Sequence, residues 1–323
     1  MLRFVARRLA STVLVMFAIS VMVFLIFFAT PGVDPAARIA GRNADQATLR
    51  EVRHDFGLDR PMPVQYALMM KKLFVSRDLT SFVNRGAKVI PQIVDAAPVT
   101  FSLVLGASVI WVMFAVGMGL VAAVFRGTPV DAAVMIVGLI GISMPVFWLG
   151  EVVNLLTQSR FHDAFLFSWV PPLGYTPFTV SPVGWFKSLV LPWLTLSVLY
   201  IGLYARVLRS SLIEAQEEDY VRTARAKGLT ERRVLLRHAL RMSLIAFVSL
   251  FGLDFGALVG GGALLTEVVF AMHGVGWLTY NSLLNFDLPV IMATVMYAAF
   301  FVVLANAAVD SVYALLDPRV RRA

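Results

Sequence analysis

Residues 99–125, VTFSLVLGASVIWVMFAVGMGLVAAVF, contain no charged side chain. A helix needs about 20 mostly apolar residues to cross the hydrocarbon of a bilayer. This run exceeds that length and does not alternate as a barrel strand would, so it reads as a membrane-spanning helix. Five further runs resemble it: residues 9–29, 132–156, 188–208, 243–265 and 288–315. The third run in chain order contains Pro145, which a continuous span tolerates where neighbouring helices satisfy the freed backbone groups. The expectation is an all-α integral membrane protein with six transmembrane helices.

Composition agrees. Of 323 residues, 59% are hydrophobic and 15% charged, against roughly 25% charged in soluble globular chains. Cysteine is absent, which excludes a disulfide framework and a Cys-based metal site. The net charge of +8 would suggest nucleic acid in a soluble protein, but its placement makes it a topology signal and no nucleic-acid partner is expected. Arg3, Arg7 and Arg8 precede the first run as they would in a signal peptide. That run is longer than a signal-peptide core, and Thr30-Pro31 stands where a cleavage site of small residues would be, so it reads as a retained helix.

Basic residues in short loops mark the cytoplasmic side. Arg126 lies between the second and third runs, and Arg206, Arg209, Arg222, Arg225, Lys227, Arg232, Arg233, Arg237 and Arg241 cluster between the fourth and fifth. Arg319, Arg321 and Arg322 close the chain, whereas residues 266–287 hold no Lys or Arg. Both termini are therefore expected in the cytoplasm. Residues 31–97 fall outside, with short helices near 47–56 and 64–74 separated by Gly57-Leu58-Asp59-Arg60-Pro61. The outer loop 159–187, with Trp169-Val170-Pro171-Pro172 and Gly174-Tyr175-Thr176-Pro177, is stiffened by Pro and aromatics. A receiving surface, a lid and a packed connection are all open readings of it. The chain divides into residues 1–97, the first span with the external segment, and residues 98–323, a core with five spans.

The segment 209–242 carries the most information. Glu217-Glu218-Asp219 precede Tyr220-Val221-Arg222-Thr223-Ala224-Arg225-Ala226-Lys227, then Gly228-Leu229. Acids in a first turn and bases in a last turn suit the helix dipole, and Gly after Lys stops a helix. Thr230 is placed to cap a second, amphipathic helix with Val234, Leu235, Leu236 and Leu240 on its apolar side. Physics alone leaves two readings: a basic anchor, or a short helix pressing on a cytosolic partner.

These residues resemble the loop that couples binding-protein-dependent ABC importer permeases to their ATPases. That loop reads Glu-Ala-Ala, three residues, then Gly. Arg222, Thr223, Ala224 and Gly228 stand at those positions, without the glutamate, as in the dipeptide and oligopeptide branch. The family's following Leu-Pro is replaced by His238-Ala239-Leu240-Arg241 running into Met242-Ser243. Gly57 to Pro61 with Val64-Gln65-Tyr66, Ser143-Met144-Pro145-Val146-Phe147, Thr266-Glu267-Val268-Val269-Phe270, His273-Gly274-Val275-Gly276 and Asp317-Pro318-Arg319 resemble the branch in order. Arg77-Asp78-Leu79-Thr80 departs from its Gly-Asp-Leu-Gly form, and 159–187 shows little resemblance. The resemblance implies the type I ABC importer transmembrane fold in a bacterial plasma membrane. It also implies a second permease, two cytosolic ATPase subunits or domains that hold ATP and Mg, an external substrate-binding protein or lipoprotein, and di- or oligopeptide cargo. Residues 217–229 would be the coupling helix, with Gly228 as its corner.

Other residues carry open readings. Glu151, Asp254 and Asp310 lie in or near apolar runs, where ionisable groups are costly. Asp254 is read as a pathway contact or an internal polar bond, and Glu267 as a group facing a peptide amine or the binding protein, or a simple interfacial carboxylate. Gly256, Gly260, Gly261 and Gly262 suit close helix packing. His54, His162, His238 and His273 have no metal-ligand spacing, and no Walker phosphate loop is present. The chain is thus expected to bind no cofactor and to catalyse nothing itself. A nickel or other small-solute importer of the same build is the alternative, and a secondary transporter centred on Asp254 a further one.

Overall fold

The computed structural model describes residues 2–28, 36–37, 46–55, 57–84, 86–162 and 167–316, with side chains between Ala10 and Val309. Among them the architecture is all-α, and extended pairing is confined to a bridge between Thr80 and Lys88. Helix α1 is Leu2–Phe28, α2 Gln46–Asp55 and α3 Met62–Met70, which widens into a π-turn over Lys71–Val75. Then come α4 (Val89–Val124), α5 (Pro129–Ser143), α6 (Val146–Asn154), α7 (Pro182–Glu217) and α8 (Asp219–Ala226). Helix α9 runs over Glu231–Gly262, followed by α10 (Leu264–Val269), α11 (Val275–Asn285) and α12 (Leu288–Leu316).

Helices α4, α7, α9 and the stretch Leu288–Val309 of α12 are each long and apolar enough to cross a membrane. In α1, the apolar stretch described is Thr12–Ile26. The third run behaves differently from its expectation. It is not one span tolerating Pro145 but two helices, α5 and α6, bent by 88°. Met144 precedes the proline in an extended conformation (φ −89°, ψ 122°), because the proline ring clashes with an α-helical residue before it. The second cytoplasmic helix expected after Thr230 is not separate either. Thr230 stands at the N-cap without a side-chain cap bond, and the helix continues unbroken into the fifth span. The terminal arginines, the Asp310 side chain and Asp317-Pro318-Arg319 lie outside the described part.

Helices α4 and α7 each contain 36 residues, about 54 Å at 1.5 Å per residue. Both therefore overrun a hydrocarbon core of about 30 Å, which is why their apolar windows were shorter than the helices. They pack along much of their length. Trp111 is fully buried and stacks on Tyr200 with ring centroids 4.7 Å apart. The Trp193 indole lies over Gly106, where a Cβ would come within 2.0 Å of it, and donates to the Ser102 carbonyl at 2.9 Å.

Helices α9 and α12 meet along glycines spaced by four. A Cβ at Gly252 would lie 1.8 Å from Val309, at Gly256 2.5 Å from Ala305 and 3.0 Å from the Phe301 carbonyl, and at Gly260 2.8 Å from the Ala298 Cα. Small residues let backbones approach where lipid gives no hydrophobic drive. Gly256 and Gly260 thus pack as expected, with Gly252 added. Gly261 instead turns the chain at φ 110°, and Gly262 faces its own helix at the Ala257 carbonyl.

The segment between α1 and α4 folds back onto this bundle. Tyr66 of α3 shares a 2.6 Å hydrogen bond with Ser20 and meets Phe24 edge-on at 5.4 Å. The buried carboxylate of Asp287, just before α12, accepts from Ser81 and, at 3.0 Å, from the Phe82 N–H.

Gly256→Leu should separate α9 from α12, because the contact includes the Phe301 backbone and cannot yield by a rotamer change. Overpacking of this kind costs about 1–3 kcal/mol. The expected result is a lowered thermal midpoint of the detergent-purified protein, with Leu253→Ala on the exposed side of α9 as the neutral comparison.

Candidate coupling site

Between α7 and α9 the chain leaves the bundle for a single short helix. Helix α8 has eight residues and begins at Asp219. Glu218 stands in its N-cap position with extended backbone (ψ 149°), while Glu217 is the last residue of α7. The sequence estimate of 217–229 therefore splits into the end of one helix, α8 itself and the turn beyond it. Val221 and Ala224 are buried and join the core formed by Leu212, Ala215, Val234 and Ala239. The other side is turned outward: Tyr220, Arg222, Thr223, Ala226 and Lys227 are exposed. Burial of its ring edge, with the Glu218 charge adding, pushes the Tyr220 hydroxyl pKa up.

The end of α8 is a Schellman stop. The Gly228 N–H donates to the Arg225 carbonyl at 2.9 Å and the Leu229 N–H to the Ala224 carbonyl at 3.4 Å, the paired bonds that define the motif. Gly228 has φ 74°, in the left-handed region that costs glycine least. Leu229 packs against the same core as Ala224, the apolar contact that accompanies such a stop.

Arg225 points back into the corner. Its guanidinium pairs with Glu231 at the start of α9 through Nε (2.9 Å) and a terminal nitrogen (3.2 Å), and a third donor reaches the Gln216 carbonyl at 3.3 Å. One side chain therefore braces α7, α8 and α9 together. Arg222 makes a local pair with Asp219 at 3.3 Å.

Two further braces hold the same end of the bundle. Arg126 reaches Glu217 at 3.0 Å between exposed partners. Asp131 is buried and takes a fork from Arg209, both contacts at 2.6 Å, with the Gly127 N–H adding a third at 3.0 Å. A bidentate Arg–carboxylate pair fixes geometry as well as energy, and here it ties the α4–α5 turn to α7. Reading the sequence used Arg209 only as a topology charge and did not notice Asp131, because the partners are far apart in the chain.

At the opposite end lies Glu267. It is neither interfacial nor free to meet a substrate amine, since it is 0% exposed. Its carboxylate accepts from the Thr100 hydroxyl at 2.6 Å and the Trp277 N–H at 2.7 Å, and the Gly276 N–H also engages it. Thr100 in turn accepts from the Val275 N–H at 2.8 Å. The first N–H groups of α11, which have no partner within their own helix, are thus satisfied from α10 and α4. Gly274 is obligatory for a further reason, because a Cβ there would sit 2.5 Å from the carboxylate. Asp254 accepts from Tyr204 at 2.7 Å, an internal bond between α9 and α7. Glu151 is exposed on α6. Among the described residues, no group of three or more His, Asp or Glu could hold a metal.

A bundle of long apolar helices, with one polar corner helix braced between two of them, is the build of an integral membrane protein. The profile of the family described as "binding-protein-dependent transport system inner membrane component" matches residues 115–322, and that of its N-terminal region matches residues 1–104. A provisionally named peptide transport system permease protein of Brucella abortus is 38% identical over 317 residues, 98% of each chain. A glutathione transport system permease protein of Pectobacterium atrosepticum is 37% identical over 322 residues, 99% of each chain. A probable D,D-dipeptide transport system permease protein of Escherichia coli is 34% identical over 331 residues, 98% of this chain and 96% of its own. The chain belongs to the binding-protein-dependent transport family: it is a multi-pass inner membrane permease with the type I ABC importer transmembrane fold.

Removing the Thr100 hydroxyl strands the Val275 N–H and one oxygen of Glu267. Thr100→Val, nearly the same shape, should therefore destabilise by about 1–3 kcal/mol, the usual cost of an unsatisfied buried polar group. A drop in thermal midpoint that exceeds that of Ser102→Ala on the same helix would be the expected reading.

Proposed function

We propose that this permease forms half of a peptide import pathway and couples it to a cytosolic ATPase through α8. The observation that carries the coupling is the corner itself: an eight-residue helix anchored by Val221 and Ala224, stopped at Gly228 and braced by Arg225, with an outward polar face. Such a helix transmits a push as a rigid body, since each end is tied to a different span. In this reading both termini and α8 are cytoplasmic, and α2, α3 and the 167–181 loop face outward. An external binding protein delivers cargo, a second permease completes the path, and two ATPases carry ATP and Mg. Peptide cargo is supported by the names of the relatives, which include dipeptide and glutathione systems. The Tyr204–Asp254 bond supports a helix-joining role for Asp254 and gives no support to an ion-driven mechanism.

Gly228→Pro cannot adopt φ 74°, because proline fixes φ near −65°. Arg225→Glu sets like charges against Glu231. Both variants should insert and co-purify with the second permease yet lose ATP-dependent peptide uptake, measured in proteoliposomes with the binding protein inside-out controlled. Adding Glu231→Arg to Arg225→Glu should restore part of the uptake. Normal uptake by the single variants would refute coupling through α8, and nickel accumulation without peptide uptake would refute the cargo.

A further inference from the structure

A cleft of about 330 Å3 opens on the side of the bundle below the external segment. Its walls come from α1 (Met16), the π-turn after α3 (Leu73, Phe74), the start of α4 (Ile93, Val94) and α12 (Met296). Phe74 is 54% and Val94 62% exposed at its mouth, so the opening lies on the surface of the bundle and not in its core. Along α12 the lining runs from Ala293 to Phe300, about 10 Å of helix at the membrane-crossing level. An apolar slot of that length, open sideways within a span, has the shape of a seat for an acyl chain.

Its polar side chains set the cleft apart from ordinary lipid-facing surface. Among the described residues lining it, Arg77 is the charged group and Tyr297 adds a hydroxyl. Arg77 follows the π-turn, which places it at the external edge of the cleft. Among the described residues it has no hydrogen-bond or ion-pair partner. Its backbone is left-handed, with φ 56°, a region where non-glycine residues are uncommon and strained. Glycine would suit that backbone, yet an arginine stands there, on the wall of an apolar slot. Neighbouring Asp78 does not neutralise it. That carboxylate accepts from Ser76 and lies in the field of Lys72 and Lys88, so the local balance is cationic.

We propose that this cleft binds a phospholipid of the leaflet next to the external segment, one acyl chain lying between α4 and α12 and the phosphate held by Arg77. Arginine binds phosphate through paired N–H donors, and the interfacial exposure of Phe74 and Val75 matches the aromatic and apolar anchoring of membrane-surface segments. A lipid seated there joins α1, the external segment, α4 and α12, so it would stiffen the docking of the external lobe without touching the coupling corner. The assignment does not depend on the cargo or on coupling through α8.

The test uses the complete transporter, delipidated in detergent and then supplied with phosphatidylglycerol, with diacylglycerol of the same chains, or with inorganic phosphate alone. Native mass spectrometry counts retained lipid and a thermal scan reads the shift. Wild type should retain phosphatidylglycerol through detergent exchange and gain thermal midpoint from it, with little gain from diacylglycerol and none from phosphate. Arg77→Gly, which fits the left-handed backbone, should lose retention several-fold while keeping its lipid-free midpoint. Val94→Trp, which closes the mouth from an exposed position, should do the same, and Arg77→Lys should hold an intermediate amount. Equal retention by wild type, Arg77→Gly and Val94→Trp would overturn the proposal. So would photocrosslinking from a benzophenone-bearing residue at position 74 into the second permease, which would show that protein covers the cleft. A shift with inorganic phosphate equal to that with phosphatidylglycerol would reduce the site to an anion site and also overturn it.

Discussion

A carboxylate sealed from solvent is tolerable only when hydrogen-bond donors replace the water it has lost. At Glu267 those donors come from two places at once, the free N–H groups at the start of α11 and the Thr100 hydroxyl on α4. Neither source can drift without leaving a buried charge unsatisfied, so one group fixes α10, α11 and α4 against each other. The constraint passes along the chain. Helix α11 ends where Phe286 turns left-handed (φ 54°) and hands over to Asp287. That second buried acid binds Ser81 and Phe82 of the segment between α1 and α4. Two carboxylates thus join the bundle core to the lobe outside it.

The other end of the molecule relies on charge pairs that are partly exposed, and the difference is physical. Exposed ion pairs contribute little to stability, about 0–1 kcal/mol each, but the Arg225 fork spans three helix ends and so limits their relative movement. Helix α9 runs from that corner through the apolar span as far as the kink at Gly261. Its glycine track holds it against α12. A push at α8 is therefore met by a pair of helices moving together, not by one that can slide.

The spans of α4, α7, α9 and α12 were legible from hydropathy because lipid allows no other reading of such runs, whereas the expected count of six goes beyond those four, and the corner was legible because Gly228 after Ala226-Lys227 is a local stop signal. The two helices of the external segment followed from the punctuation at Gly57 to Pro61. What could not be read was set by distance in the chain. Glu267 looked like an interfacial acid, since nothing near it in sequence shows that Thr100 and the N–H groups of Gly276 and Trp277 would close around it. Asp131 was overlooked for the same reason, its partner being Arg209. The ends of α4 and α7 were missed because hydropathy marks the lipid and not the helix. Pro145 was read as a tolerated kink, and the full break became apparent only with the extended backbone of Met144.

That break has a consequence for water. Where one apolar helix stops and another starts at 88° to it, the last carbonyls of the first and the first N–H groups of the second lose their intrahelical partners. Hydrocarbon offers no replacement. Pro145 removes one N–H from the account, and the Ser143 hydroxyl supplies a donor to the Leu139 carbonyl at 2.8 Å. The remainder need partners, yet Ser143, Pro145, Phe147 and Trp148 are all exposed on this chain. A bend of this kind is stable only where polar groups or water meet its free backbone groups, which dry hydrocarbon does not supply.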